Sequence, residues 1–390
     1  MKFIKGILWL LAVLFLITAA AFGDDAVNYN KSGNAKVDKG NLDGALADFT
    51  KAIELKPDYA DAYNNRGLLK EGKSDIDGAL ADFNKAIELK PDYADAYISR
   101  GVVKDIKGDK DGAIADFNKA IELKPDYADA YNNRGNVKSD KGDLDGALAD
   151  FTKAIELKPN YAEAYNNRGY VKKAKSDMDG ALADFNKAIQ LKPNNDFAYF
   201  NRGSLKFDKG NMDGALADFN KAIELNPNNV WAYYYSRGCL HYNSHEFTNA
   251  LADFHKVCEL NSDALNGYAH FCLWLVRARL GEQAAATKEL QDYWDNRKTG
   301  TPDDWPSKIS SLLTGQLTEP NFLKTAENAD KKKDGEQHCE AYFYAGSKRL
   351  IEGDKATATD YFEKCLATGM KTFTEYKSAV AELKYLKADN

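Results

Sequence analysis

Ala60–Tyr93 reads ADAYNNRGLLKEGKSDIDGALADFNKAIELKPDY, and close copies of this phrase run along much of the chain. Its proline keeps the register, with Pro57, Pro91, Pro125, Pro159, Pro193 and Pro227 spaced 34 residues apart. A period of that length is one helix–turn–helix unit, which buries its apolar side only by stacking on its neighbours. The residue types agree. Gly67, Ala79 and Ala86 are small where two antiparallel helices must approach, and Tyr63 and Phe83 fill the space around that contact. Asp75 stands where the second helix begins and can cap its free amides. Pro91 ends the unit where a helix interior would not tolerate it. Stacked units make a long grooved surface rather than one enclosed pocket.

With the proline at position 32, copies begin at Ala26, Ala60, Ala94, Ala128, Ala162, Asp196 and Val230. Tyr63, Gly67, Ala79, Phe83, Ala86 and Pro91 then occupy positions 4, 8, 20, 24, 27 and 32, where the chain resembles the tetratricopeptide repeat (TPR) family. The resemblance implies an all-α superhelical solenoid of antiparallel helix pairs. The predicted organisation is a signal segment at 1–23, seven units over 26–264, a degenerate helical region with a linker over 265–335, and a final repeat with a C-terminal capping helix over 336–390.

Two positions depart from the family. Position 7, usually leucine, is Arg66, Arg100, Arg134, Arg168 and Arg202, and position 23 carries Asp82, Asp116, Asp150, Asp184 and Asp218. A structural Arg–Asp pair between the helices accounts for both. Position 11, usually tyrosine, is Lys70, Lys104, Lys138, Lys172 and Lys206, whose stems can cover apolar surface while the ammonium reaches water. The Asp75-Ile76-Asp77-Gly78 motif is not a calcium loop, because placing Gly78 at loop position 6 puts Lys73 at the first ligand position.

In the resembling family, positions 2, 5, 6, 9, 12 and 13 face the groove. Here they give an asparagine ladder of Asn64, Asn65, Asn132, Asn133, Asn166, Asn167 and Asn201, with Tyr170 at position 9. Side-chain amides both donate and accept, so a ladder can clasp an extended peptide backbone; the alternative is a hydrated polar face. Position 2 is acidic (Asp61, Asp95, Asp129, Glu163), unlike the cationic clamp of family members that bind carboxylate-terminated peptides. From the sixth copy the phrase turns aromatic. Phe197, Phe200 and Trp231 read as interface anchors, with adaptation to an irregular junction as the alternative.

After Asn261 the proline rhythm stops. A helix pair over 267–295 turning at Gly281, a loop at Thr299–Pro306, a short helix at Trp305–Leu313 and a charged linker at Asp330–Gly335 are predicted. A last repeat (Tyr342, Gly346, Gly353, Ala358, Phe362) and a capping helix with Phe373, Tyr376, Val380, Leu383 and Leu386 on one face follow. The segments YAHFCLWLVRARL (268–280), DWPSKISSLLTG (304–315) and Glu340–Leu386 resemble the C-terminal module of NlpI-like bacterial envelope proteins. That resemblance implies a periplasmic adaptor that gathers peptidoglycan hydrolases and a processing protease. The lipid-bearing cysteine is missing, since no cysteine precedes Cys239.

The N-terminus has the layout of a secretory signal: Lys2 and Lys5, an apolar stretch Ile7–Ile17, and small residues to Gly23, with cleavage after Ala21 or Gly23. An uncleaved anchor is the alternative, although Ile7–Phe22 falls short of the roughly 20 residues that span a bilayer. Export would let disulfides persist. Cys339 and Cys365 fall at positions 1 and 27 of the last repeat, the same end of a hairpin, where a disulfide and free buried thiols are both open readings.

Charged residues number 53 basic and 59 acidic, interspersed, for a net −6. Nucleic-acid partners need a basic footprint and are excluded. His241-x-x-x-His245 has a metal-sharing spacing but too few further ligands for zinc. No phosphate loop or nucleophile elbow is present, so neither a catalytic residue nor a cofactor is assigned. The expected function is non-enzymatic: an exported adaptor whose partners are proteins or peptides. A structural spacer is the second reading, and a metal- or sugar-binding module at the aromatic junction the third.

Overall fold

The structure, a computed structural model, describes residues 24–227, 231–260, 267–297 and 304–388. The signal segment and most of the predicted loop at Thr299–Pro306 lie outside the described residues. All regular structure among the described residues is helical. The chain divides into two compact units, Met1–Leu191 and Lys192–Asn390.

The first unit is a row of helix pairs. Residues 24–38 are helical (α1) and pair with α2 (Leu42–Leu55); then come α3 (Ala60–Gly72) with α4 (Ile76–Leu89), α5 (Ala94–Ile106) with α6 (Lys110–Leu123), α7 (Ala128–Asp140) with α8 (Leu144–Leu157), and α9 (Ala162–Ala174) with α10 (Met178–Leu191). Each second helix starts on an asparagine or aspartate. Asp75 accepts from the Gly78 amide at 3.0 Å, and Asp109 and Asp143 do the same for Gly112 and Gly146. The D-x-D-G motif is thus a helix cap. The turn before it needs one left-handed residue, supplied by Gly40, Gly108 and Gly142 but by Ser74 and Ser176 in two repeats. A side chain there costs about 1–2 kcal/mol. Ser176→Gly is therefore expected to raise the thermal midpoint, and an unchanged or lower midpoint would contradict that account.

Inside each pair the phenylalanine of the second helix is buried against the glycine of the first. Phe83, Phe117, Phe151 and Phe185 are at most 1% exposed. A Cβ on Gly135 would come within 2.7 Å of the Phe151 ring. In an open helix, alanine is favoured over glycine by about 1 kcal/mol. Here the ring is enclosed and cannot step aside. Gly135→Ala is expected to destabilise by about 1–3 kcal/mol in urea unfolding, the cost of overpacking a close-packed site.

The second unit continues the pattern with α11 (Asp196–Asp208), α12 (Met212–Leu225), α13 (Trp231–Asn243) and α14 (Phe247–Leu260), then departs from it. The predicted pair is present as α15 (Tyr268–Arg279) and α16 (Gln283–Asp295), turning through left-handed Gly281. The short helix α17 (Trp305–Leu313) is also present, and α18 (Glu319–Lys324) follows it. Asp330–Gly335 is not a linker. Asp330 caps α19 (Lys331–Ile351) by accepting from the Lys332 and Lys333 amides, so the charged run is that helix's first turns. The sequence masked this because three lysines in a row look solvated, and they are. Helix α20 (Lys355–Ala367) pairs with α19, and α21 (Thr374–Ala388) packs on both. On α21, Leu383 and Leu386 are buried and Val380 is exposed.

The two units hold their cores differently. The first has small separate clusters along its seams, such as Ala79, Phe83 and Val103 beside Ala86, Ile87 and Ala96. The second keeps such clusters at its start, as with Ala215, Phe219 and Leu240, and adds one larger core with Phe254, Phe271, Trp274, Phe322, Tyr344 and Phe362 among its members.

Candidate functional site

Consecutive first helices α3, α5, α7 and α9 touch side by side and form one face of the first unit. Hydrogen bonds fix its register. Asn65 donates to Asn30 Oδ1 at 3.1 Å and to Asn34 Oδ1 at 3.3 Å, and Asn167 donates to Asn132 at 3.2 Å and Asn136 at 3.0 Å. Position 6 of one repeat thus lies against positions 5 and 9 of the repeat before it.

This corrects the expected asparagine ladder. Asn64, Asn132 and Asn166 are buried at 5%, 0% and 9% exposure, so they pack between repeats and do not present amides to a ligand. Asn65 and Asn167 spend theirs on the preceding repeat. Asn133 differs, because its counterparts at positions 5 and 9 are Ile98 and Val102. Its side-chain amide has no partner among the described residues.

Arg66 donates Nε and Nη2 to the two oxygens of Asp82 at 2.9 and 2.7 Å, and Arg100, Arg134, Arg168 and Arg202 do the same to Asp116, Asp150, Asp184 and Asp218. The lysine of position 11 does not reach into water as expected. Lys70, Lys104, Lys138, Lys172 and Lys206 each bind the same aspartate at 2.7–2.8 Å. The buried carboxylate, about 5% exposed, attracts the second cation more strongly than solvent does. In the first unit Arg66, Arg100, Arg134 and Arg168 also reach the second helix of the preceding repeat, as Arg134 Nη1 does to Asn118 Oδ1 at 2.6 Å. In the seventh repeat His241 stands where the lysine would, 3.9 Å from Asp253 and 2.6 Å from Glu246.

A further seam was missed in the sequence, although its two halves are plainly periodic. In three successive repeats the tyrosine after the proline turn binds the position-2 acid of the repeat before: Tyr93 with Asp61, Tyr127 with Asp95, and Tyr161 with Asp129. Burial, with those carboxylates beside them, pushes the three phenols well above their ordinary range. The acidic rim is therefore tied into the scaffold. In the second unit Tyr233 serves Asp196 the same way at 3.0 Å, which gives the extra aromatic of that repeat a structural role.

The aromatic anchors divide. Phe200 packs on Tyr233 and Phe219 at ring distances of 4.7 and 5.9 Å and belongs to the core. Trp231 is half-buried against the Val257–Ala269 cluster. Phe197 is 56% exposed, as is Tyr170 in the first unit, and Asn201 is half-buried. Leu68 and Ile106, which the sequence reading passed over, are also exposed on the first-helix face, at 46% and 57%.

Elsewhere the chemistry is structural. His245 occupies a left-handed turn, stacks on Tyr385 at 4.0 Å and faces Arg279, so it does not share a ligand with His241. No group of three or more metal-ligating side chains occurs among the described residues. Cys339 and Cys365 are buried free thiols with sulfurs 3.5 Å apart, at the same end of α19 and α20. Burial pushes Cys239 up to about 12, leaving a protonated thiol. Cys239, Cys272, Tyr344 and Glu375 line a cavity of about 20 Å³. That is room for about one water and far below a ligand pocket.

The family model described as "TPR repeat" matches residues 33–74, 106–142 and 135–176, and the model "Tetratricopeptide repeat" matches 60–93, 162–195 and 197–229. The chain belongs to the tetratricopeptide repeat family. Solved structures with the same fold include a TPR protein from Parabacteroides merdae, at 21% identity over 65% of this chain and 99% of that one with a TM-score of 0.52. Another is the APC/C hetero-tetramer Cut9–Hcn1, at 19% identity over 66% of this chain and 53% of that one, TM-score 0.54. YrrB, titled a TPR protein with an unusual peptide-binding site, is 30% identical over 46% of this chain and 93% of its own, TM-score 0.38. As a TPR array the chain is a protein-interaction scaffold, a fold that is typically non-catalytic.

Proposed function

We propose that this TPR protein is an exported adaptor that binds protein segments along its first-helix face and brings enzymes of the bacterial cell envelope together. The observation that carries the binding reading is the contrast within that face. Nearly every charged and amide group is spent on holding repeats together, while Leu68, Ile106 and Tyr170 stand exposed on it. Large apolar and aromatic side chains left exposed along one row of helices are the kind of anchor a protein partner covers. Export is supported by the signal layout of the first 23 residues, and no described helix is long and apolar enough to cross a membrane. The envelope setting rests on the likeness of the last third to NlpI-like adaptors, whose clients are peptidoglycan hydrolases and a processing protease.

A photo-crosslinking amino acid placed at Tyr170 tests this directly. In envelope extract it is expected to capture a small set of hydrolases or proteases. Crosslinks only to further copies of the chain would instead support a self-associating spacer and remove the adaptor reading.

A further inference from the structure

The seams between first helices repeat closely except at the third repeat. In the asparagine seams, the position-5 side-chain oxygen accepts from the next repeat's position-6 amide. In the third repeat position 6 is Ser99, and Asn64 Oδ1 is left buried with no partner among the described residues. At the next seam the third repeat offers Ile98 and Val102 where other repeats offer amides, which is why Asn133 is unpartnered. The same repeat exposes Ile106, and Leu68 is exposed one repeat earlier.

The unpaired charges around this apolar interruption are of one sign. Glu71 lies three residues from Leu68, and Asp105 stands at the same repeat position one repeat later, three residues from Val102, so each carboxylate shares a helix surface with an aliphatic side chain. Neither carboxylate has an ion-pair or hydrogen-bond partner among the described residues. The nearby cations are already taken: Lys70 by Asp82, Lys104 and Arg100 by Asp116, Lys73 by Asp43, and Lys107 by Asp77. Glu71 is in addition half-covered, and burial alone raises its pKa. A desolvated carboxylate without a counter-charge is costly, and a cation brought by a partner relieves that cost.

We propose that the third repeat and its two seams recognise a protein segment in which lysine or arginine flanks aliphatic side chains. The aliphatic groups cover Leu68 and Ile106, the cations meet Glu71 and Asp105, and the Asn133 amide takes a backbone carbonyl of the segment. This rests on the first-helix face being the binding surface. It adds the chemistry of the client, opposite in charge to the carboxylate-terminated peptides that a cationic clamp would hold.

The test uses the purified full chain and three labelled ten-residue peptides, alternating lysine–leucine, glutamate–leucine and lysine–serine, followed by fluorescence anisotropy. The lysine–leucine peptide is expected to bind tightest. The pair Glu71→Lys and Asp105→Lys should weaken it by roughly tenfold or more. Ile106→Asp should weaken it comparably, and Glu122→Lys, an exposed acid on the second helix α6 and off the first-helix face, should leave it unchanged. All four positions are partly or fully exposed, so folding is retained and is verified by circular dichroism. Preference for the glutamate–leucine peptide, or binding indifferent to the charge reversal, overturns the inference while leaving the groove reading standing. Self-association abolished by the charge reversal, without peptide binding, assigns the face to a second copy and also overturns it. Absence of both peptide binding and captured partners removes the groove reading itself.

Discussion

Replacing Asp150 by alanine is expected to lower stability by about 2–3 kcal/mol, a large loss for one side chain on a polar position. Asp150 accepts two bonds from Arg134 and one ion pair from Lys138, while itself only about 6% exposed. Removing it strands two cations that are about four-fifths covered. Their long stems let them turn partly to water, which holds the loss below the 3–5 kcal/mol of a fully enclosed pair. The defect should also spread. Arg134 joins its own repeat to the preceding one, and repeat arrays gain much of their stability from neighbour interfaces. Urea unfolding followed by circular dichroism should therefore show an earlier and broader transition. The triple change Asp150→Leu, Arg134→Leu and Lys138→Leu should recover most of the loss. If Asp150→Ala alone costs less than about 0.5 kcal/mol, a surface-type ion pair is the correct description.

The second unit is expected to lose stability as pH rises through neutrality, by on the order of 2–4 kcal/mol between about pH 5 and pH 8. Its core encloses two carboxyls that meet no cation among the described residues, Glu340 and Glu375, whereas buried Glu382 is paired with Arg279. Tyr268 donates to Glu340 at 2.8 Å and Trp305 donates to it as well, while Tyr344 reaches Glu375 at 3.5 Å. No cation joins them in these contacts. Burial is the leading cause that raises both, and the neighbouring Glu375 raises Glu340 further, so the folded protein favours the protonated acids. In the unfolded chain both ionise near the ordinary glutamate value of 4.5. Between that value and their raised folded values, the folded state holds more protons than the unfolded one, and stability must fall with pH. Half-buried His245, whose pKa desolvation lowers, acts in the opposite direction below about pH 6.5, so the slope is cleanest above it. Thermal unfolding from pH 6.5 upward should show a declining midpoint, and Glu340→Gln with Glu375→Gln should flatten it. A midpoint that rises with pH in the unsubstituted chain would refute the enclosed neutral pair.

The fold was legible because one phrase repeats, so every local signal is stated several times. Gly67 against Phe83, Asp75 as a cap and Pro91 as a stop are each readable from residue type and spacing, and the structure uses them so. The candidate site was legible only in part. Asn64 and Asn65 are neighbours of the same type, yet the first is buried and the second bonds back to Asn30 and Asn34. Which of them would be available to a ligand depends on the seam, and the seam is a contact between residues about 30 positions apart. Lys70 was misread for the same reason. Its helix position is compatible with water, but the nearest strong attraction is an aspartate twelve residues on. Asp330–Gly335 was misread as a linker because composition reports solvation, which an exposed helix start shares with a loop.

The sequence by itself determined that this is a repeat solenoid, where the helices of the regular repeats begin and end, and that arginine and aspartate are placed for pairing. Those follow from period, caps and volume, which are local or recur at fixed spacing. Tertiary structure alone decided which polar groups are spent and which are left over. Asn133 looks like Asn65 and Asn167 in the sequence, but stacking sets it against Ile98 and Val102. Glu71 and Asp105 stand unpaired among the described residues because every nearby cation has another partner. Whether a charge or amide is free is a property of the assembled surface, since it depends on what each neighbour has already bound.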